Sequence, residues 1–81
     1  RLPSVNPMGR TDLPADILYE HRVTGYLEAR LRELGVAVER QPVRPGRDNL
    51  VAVYDPPGTP PFATVFECHQ DTVPVDSMTV E

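Results

Sequence analysis

Phe66-Glu67-Cys68-His69-Gln70-Asp71-Thr72-Val73-Pro74 is the stretch on which the reading of this 81-residue chain turns. The apolar run from Phe62 to Phe66 leads into it and reads as a buried strand reaching about Cys68. A histidine stands where that strand ends, a carboxylate follows two residues later, and a proline closes the turn. Strand ends in open α/β sheets carry chemistry because side chains there leave the packed interior while the backbone stays rigid. An imidazole at such an end can give one ring nitrogen to a metal, and a nearby carboxylate can hold the other and fix the tautomer. The same residues suit an ordinary polar turn, because Asp and Thr side chains bond nearby backbone amides. His-x-Asp by itself leaves both readings open, since metal sites usually show several spaced ligands.

Working outward, Asp55-Pro56-Pro57-Gly58-Thr59-Pro60-Pro61 breaks regular structure and reads as a surface loop. Before it, residues 50–54 are apolar on both faces, as a central strand is. Val36, Val38 and Arg40 alternate with Ala37, Glu39 and Gln41, which predicts a half-exposed strand that Pro42 either ends or confines to an edge. Arg44-Pro45-Gly46-Arg47-Asp48 makes a turn, so the two strands are predicted to form an antiparallel hairpin with a loop of several residues. Arg44 and Arg47 read as solvated turn residues.

The clearest helix is predicted between about Pro14 and Leu34. Pro14 suits a first turn, Asp12 is placed to cap it, and Asp16 favours the positive end of the helix dipole. Tyr19, Val23, Leu27, Leu31 and Leu34 form an apolar stripe with Tyr26 beside it. Glu28 and Arg32 are spaced for a surface ion pair. Gly35 is placed to end the helix in a left-handed conformation, with Val36 folding back on the last turn. Gly25 weakens the middle of the helix and points to a close neighbour there. His21 lies off the stripe and reads as a surface histidine. Pro3, Pro7 and Gly9 oppose helix across residues 1–13, which read as a structured connector.

Eight Arg, no Lys and twelve acidic residues leave a net charge of −4 with no basic cluster, which gives no support to a nucleic-acid surface. No apolar run reaches the length of a membrane span, and no signal-peptide pattern is visible. The single cysteine rules out an internal disulfide and leans towards a reducing, cytoplasmic compartment. Cys68 reads as a buried packing residue, since adjacent strand residues face opposite ways and it should not reach the same metal as His69. Glu67 shares the His69 strand face without an assigned role, and Asp76 reads as a solvated loop carboxylate. The helix can cover one face of a three-stranded unit while the other face stays open. Both ends read as cut, and the chain reads as a fragment of a longer protein.

His69-Gln70-Asp71-Thr72-Val73-Pro74 resembles the first metal-site motif of a metal-dependent amidohydrolase and peptidase family. That family contains aminoacylase, carboxypeptidase G, acetylornithine deacetylase and succinyl-diaminopimelate desuccinylase. Leu2-Pro3-Ser4-Val5-Asn6-Pro7, Leu31-Arg32-Glu33-Leu34-Gly35 and Arg47-Asp48-Asn49-Leu50-Val51-Ala52 are similar to family segments in the same order and approximate spacing. The resemblance implies an α/β fold: a helix plus about three strands, forming the N-terminal part of a zinc-aminopeptidase-like domain with a central mixed sheet. It implies that His69 is a metal ligand and that Asp71 is the catalytic partner that orients it.

The resemblance further implies two zinc ions in the full-length protein, with cobalt or manganese as alternatives. Its implied substrates are small acylated amino acids or short peptides; nucleic acid and membrane are not implied partners. Family members often carry an inserted dimerisation domain, which leaves a homodimer open for the full-length protein. The family's bridging aspartate, its paired glutamates including the general base, and its remaining ligands find no match here, so these 81 residues alone are expected to be inactive. Cys68 departs from the small residue often found before the motif histidine. Two alternatives stand beside the hydrolase: a non-catalytic descendant that binds a small molecule or partner, and a stand-alone module whose His-x-Asp turn holds no metal.

Overall fold

Local backbone chemistry sets most of the element order. In the computed structural model, which describes residues 2–58, 60–61 and 63–76, a 3-10 turn at Ala15–Ile17 precedes helix α1, His21–Glu33. Strands β1, Ala37–Arg44, and β2, Arg47–Val53, follow as an antiparallel pair. The described part is thus mixed α/β: one helix and one two-stranded sheet.

The helix predicted from Pro14 is split, and the cause is a distant segment. The Val5 N–H donates to the Ile17 carbonyl at 2.9 Å, and the Tyr19 N–H donates to the Val5 carbonyl at 2.8 Å. This parallel bridge draws Leu18 into an extended conformation and leaves Tyr19 at φ 68°. A left-handed tyrosine cannot continue a right-handed helix, so α1 starts only at His21. Asp12 does not cap it; its carboxylate instead pairs with Arg10 at 2.7 Å.

The other end follows the sequence. Gly35 adopts φ 77°, its N–H donates to the Arg32 carbonyl at 3.0 Å, and the Val36 N–H donates to the Leu31 carbonyl at 3.1 Å. Those two bonds satisfy the last carbonyls of α1 and turn the chain back into β1. Val23, Leu27 and Leu31 are half-buried where α1 lies on the hairpin, whereas Leu34 and Tyr26 stay exposed. The expected close neighbour of Gly25 is Arg40, whose Nη2 lies 3.7 Å from where a β-carbon would sit. Arg40 bridges Glu28 at 3.0 Å and Asp48 at 3.3 Å, joining the helix to both strands. The Glu28–Arg32 pair forms at 3.3 Å, as its spacing predicts.

The hairpin pairs Ala37 with Val53 and runs to Arg44 opposite Arg47. Its loop is shorter than the sequence suggests: only Pro45 and Gly46 connect the strands. Proline presets its own φ and Gly46 takes φ 75°, so the two residues reverse the chain alone. Pro42, which has no N–H to give, stands where the register shifts before Arg44.

Two strand expectations are corrected. Residues 63–68 form no strand; they run as exposed chain, with Val65 85 % and Phe66 93 % accessible, while Phe62 lies outside the described residues. Nor is residue stretch 50–54 a central strand: among the described residues β2 has β1 as its only neighbour, and Tyr54 lies beyond its end. A strand exists only through ladder bonds to a neighbour, so apolar, β-prone residues remain irregular when none is beside them. Among the described residues no apolar side chain is fully buried; Ser4, Glu20 and Thr24 are the most enclosed. No described helix is long and apolar enough to cross a membrane.

Candidate functional site

The motif loop is pinned from three directions. The Thr72 N–H donates to the Ser4 carbonyl at 3.0 Å and the Asn6 N–H donates to the Thr72 carbonyl at 2.8 Å, so the connector lies alongside the motif. Val5 therefore sits between two segments, bridged to Leu18 on one side and Thr72 on the other. Gln70 lines the same cleft as His69 and Asp71 and is tied to both the helix and the hairpin. Its Oε1 lies 2.9 Å from the Thr24 hydroxyl, and its Nε2 donates to the Asp48 carbonyl at 3.4 Å. Thr24 is fully buried, so this contact fixes Gln70 between α1 and the start of β2.

With Gln70 anchored, His69 and Asp71 both face an open cleft of about 330 Å³ lined also by Glu20, Arg44, Arg47 and Cys68. His69 Nδ1 lies 3.0 Å from Asp71 Oδ1 and 2.9 Å from the Asp71 carbonyl oxygen. An ionised carboxylate and a carbonyl only accept hydrogen bonds, so Nδ1 carries the proton of the neutral ring. Nε2 then bears the lone pair. The ring itself is 84 % exposed, and Nε2 has no partner among the described residues.

Asp71 is held more firmly than the histidine it supports. Its Oδ2 accepts from Asn6 Nδ2 at 2.9 Å, and Arg47 Nη2 stands 3.9 Å away. The Asn6 hydrogen bond, followed by that from His69, holds the Asp71 carboxyl below the usual carboxylate range in spite of partial desolvation. Arg47 is not the solvated turn residue its position suggests. Its Nε and Nη2 both donate to the Glu20 carboxylate, and its guanidinium carbon lies 5.4 Å from the centre of the Tyr19 ring. Glu20 raises the Arg47 pKa further, so the side chain is a fixed cation at the edge of the cleft.

Cys68 is exposed rather than buried, and it lines the same cleft as His69. The expected alternation of faces does not apply because residues 63–68 form no strand. Asp76 is also not a free loop carboxylate: Arg10 donates to it from Nη1 and Nη2, each at 2.9 Å, while also holding Asp12. His21 is exposed, in keeping with its position off the stripe. Sequence reasoning missed Asn6, Glu20 and Arg47. Each meets its partner across a long separation, 65 residues for Asn6 and Asp71 and 27 for Glu20 and Arg47, which no local pattern reports.

For a metal, the His69–Asp71 pair fits one ligand position, because a carboxylate on one ring nitrogen and a free lone pair on the other is how ligating histidines are held. Among the described residues no group of three or more His, Cys, Asp or Glu is placed to hold an ion. Set against family models, curated proteins and solved structures, the chain matches none.

Proposed function

We propose that this chain contributes the first metal ligand of a metal-dependent amidohydrolase or peptidase acting on small acylated amino acids or short peptides. The observation that carries this reading is the pairing of His69 Nδ1 with Asp71. Nδ1 lies within hydrogen-bond distance of two acceptors of one residue, and the exposed ring lines the cleft. A bound zinc would polarise the substrate carbonyl and activate a water molecule. In this reading His69 binds, Asp71 orients it and raises its basicity, and the cleft beside them admits the substrate. Further ligands and a general base would, in this reading, have to be supplied by other sequence. Two zinc ions and a reducing, cytoplasmic setting for the exposed Cys68 belong to the same proposal.

The test uses the protein extended to include the downstream ligands. His69→Ala removes a metal–nitrogen bond, so bound zinc falls and turnover of acyl-amino acids nearly vanishes. Asp71→Asn keeps the metal but lowers turnover by about 10–100-fold, the usual cost of losing a residue that holds a ligand. The 81 residues alone show no chelator-sensitive turnover. Normal zinc content and turnover in His69→Ala would sink the proposal. Full zinc occupancy in the unaltered protein without any turnover favours a binding protein of the same fold.

A further inference from the structure

Asp71 can orient His69 only if its own carboxylate is held, and its second oxygen accepts from one side chain. Asn6 Nδ2 donates to Oδ2 at 2.9 Å, while Oδ1 faces His69 Nδ1 at 3.0 Å. The other charged group facing Asp71 is Arg47, 3.9 Å from Oδ2, beyond hydrogen-bond reach and committed to Glu20. The orientation of the Asn6 amide is itself determined. Its Oδ1 accepts from the Met8 N–H at 3.0 Å, so its NH₂ must point to Asp71. Rotating the amide would set a carbonyl against a carboxylate and an NH₂ against an N–H. The loop that permits this is uncommon, because Met8 takes φ 55°, a conformation that side-chain-bearing residues avoid. Asn6 is also fixed in space by backbone bonds, since the Asn6 N–H and the Ser4 carbonyl both engage Thr72, the residue after Asp71.

We propose that Asn6 is a positioning residue of this site: its amide clamps the Asp71 carboxylate, which in turn holds His69 in the Nδ1–H form with Nε2 free. The inference rests on reading His69 and Asp71 as the functional pair, and it does not require the metal. It extends the site from the motif to the N-terminal connector, where composition alone shows only Pro and Gly.

The experiment is ¹⁵N NMR of the His69 ring in the 81-residue chain without metal, at a pH where imidazole is neutral. Asn6→Ala removes both the donor to Asp71 and the acceptor that closes the loop at Met8. Asn6→Asp keeps the loop acceptor but replaces the donor with an oxygen that repels Asp71, so it separates the two roles. The unaltered chain shows a protonated Nδ1 and an imine-type Nε2. Both variants shift the Nδ1–H to Nε2–H ratio by roughly tenfold towards Nε2–H, the size of losing most of a charge-assisted hydrogen bond. The shift falls short of complete because the Asp71 carbonyl still faces Nδ1. Backbone amide shifts of α1 and the hairpin stay in place in Asn6→Asp. A wild-type ratio in Asn6→Asp would overturn the inference, whether or not Asn6→Ala is altered, because only the loop role would then remain. Failure of the hydrolase proposal registers elsewhere, in the zinc content and turnover of His69→Ala.

Discussion

Replacing Arg47 tests what holds the hairpin to the start of the helix. Its guanidinium forks onto Glu20 and lies over Tyr19, and the Glu20 side chain is only 10 % exposed against 28 % for Arg47. Exposed ion pairs contribute about 0.2–1 kcal/mol, whereas stranding one partner of a fully buried pair costs about 3–5 kcal/mol. This pair sits between those limits, so Arg47→Met should destabilise the fold by about 2 kcal/mol, with Glu20 left nearly buried and unpaired. Arg47→Lys keeps the charge but loses the fork and most of the ring contact, and should cost about 1 kcal/mol. The effect is large for this protein because no apolar side chain among the described residues is fully buried, so polar links carry more of the stability. Urea unfolding followed by helical circular dichroism provides the assay, with Arg47→Met, Glu20→Gln and the double variant forming a cycle. A coupling of at least about 1 kcal/mol is expected. A coupling below about 0.3 kcal/mol, at the level of measurement error, would show that the pair is a surface ornament and refute the reasoning.

Gly25→Ala should stabilise the chain by about 0.5–1 kcal/mol, since alanine lowers the entropic cost of helix and its β-carbon would meet Arg40 only at ordinary contact distance, 3.7 Å; a lower urea midpoint would contradict this. Acid should unfold the chain through its paired carboxylates. The carboxyls of Asp12, Glu28, Asp71 and Asp76 are all held below their ordinary values, chiefly by hydrogen bonds from Arg10, Arg40, Asn6 and Arg10 respectively. A carboxyl depressed in the fold contributes stability at pH above its unfolded value, and that contribution disappears as pH falls through the folded value. Helical signal should therefore be flat from neutrality down to about pH 5 and decline below about pH 4, with Asn6→Ala shifting the decline upward. A midpoint unmoved by Asn6→Ala would show that Asp71 is not held as described.

The reach of each interaction along the chain separates what the sequence by itself determined from what the tertiary structure decided. Gly35 ends α1 because a residue without a β-carbon tolerates φ 77°, and the closing bonds of Gly35 and Val36 reach back only three and five residues. Pro45-Gly46 turns the hairpin, and the alternation of residues 36–41 marks β1, for equally local reasons. The helix start was not legible from Pro14 and Asp16, because Val5 bonds to residues 17 and 19 and draws them out of the helical conformation. The strand expected at 62–68 has the right residue types, but a strand is a relation between two segments and its composition cannot supply the second. At the site, His69 and Asp71 stand two residues apart and their pairing can be anticipated from the motif. The clamp on Asp71 comes from Asn6, 65 residues earlier, and the fixed cation beside it comes from Arg47 meeting Glu20 across 27. Only folding brings those groups within hydrogen-bond distance, because short-range forces act between neighbours in space and local sequence patterns describe neighbours along the chain.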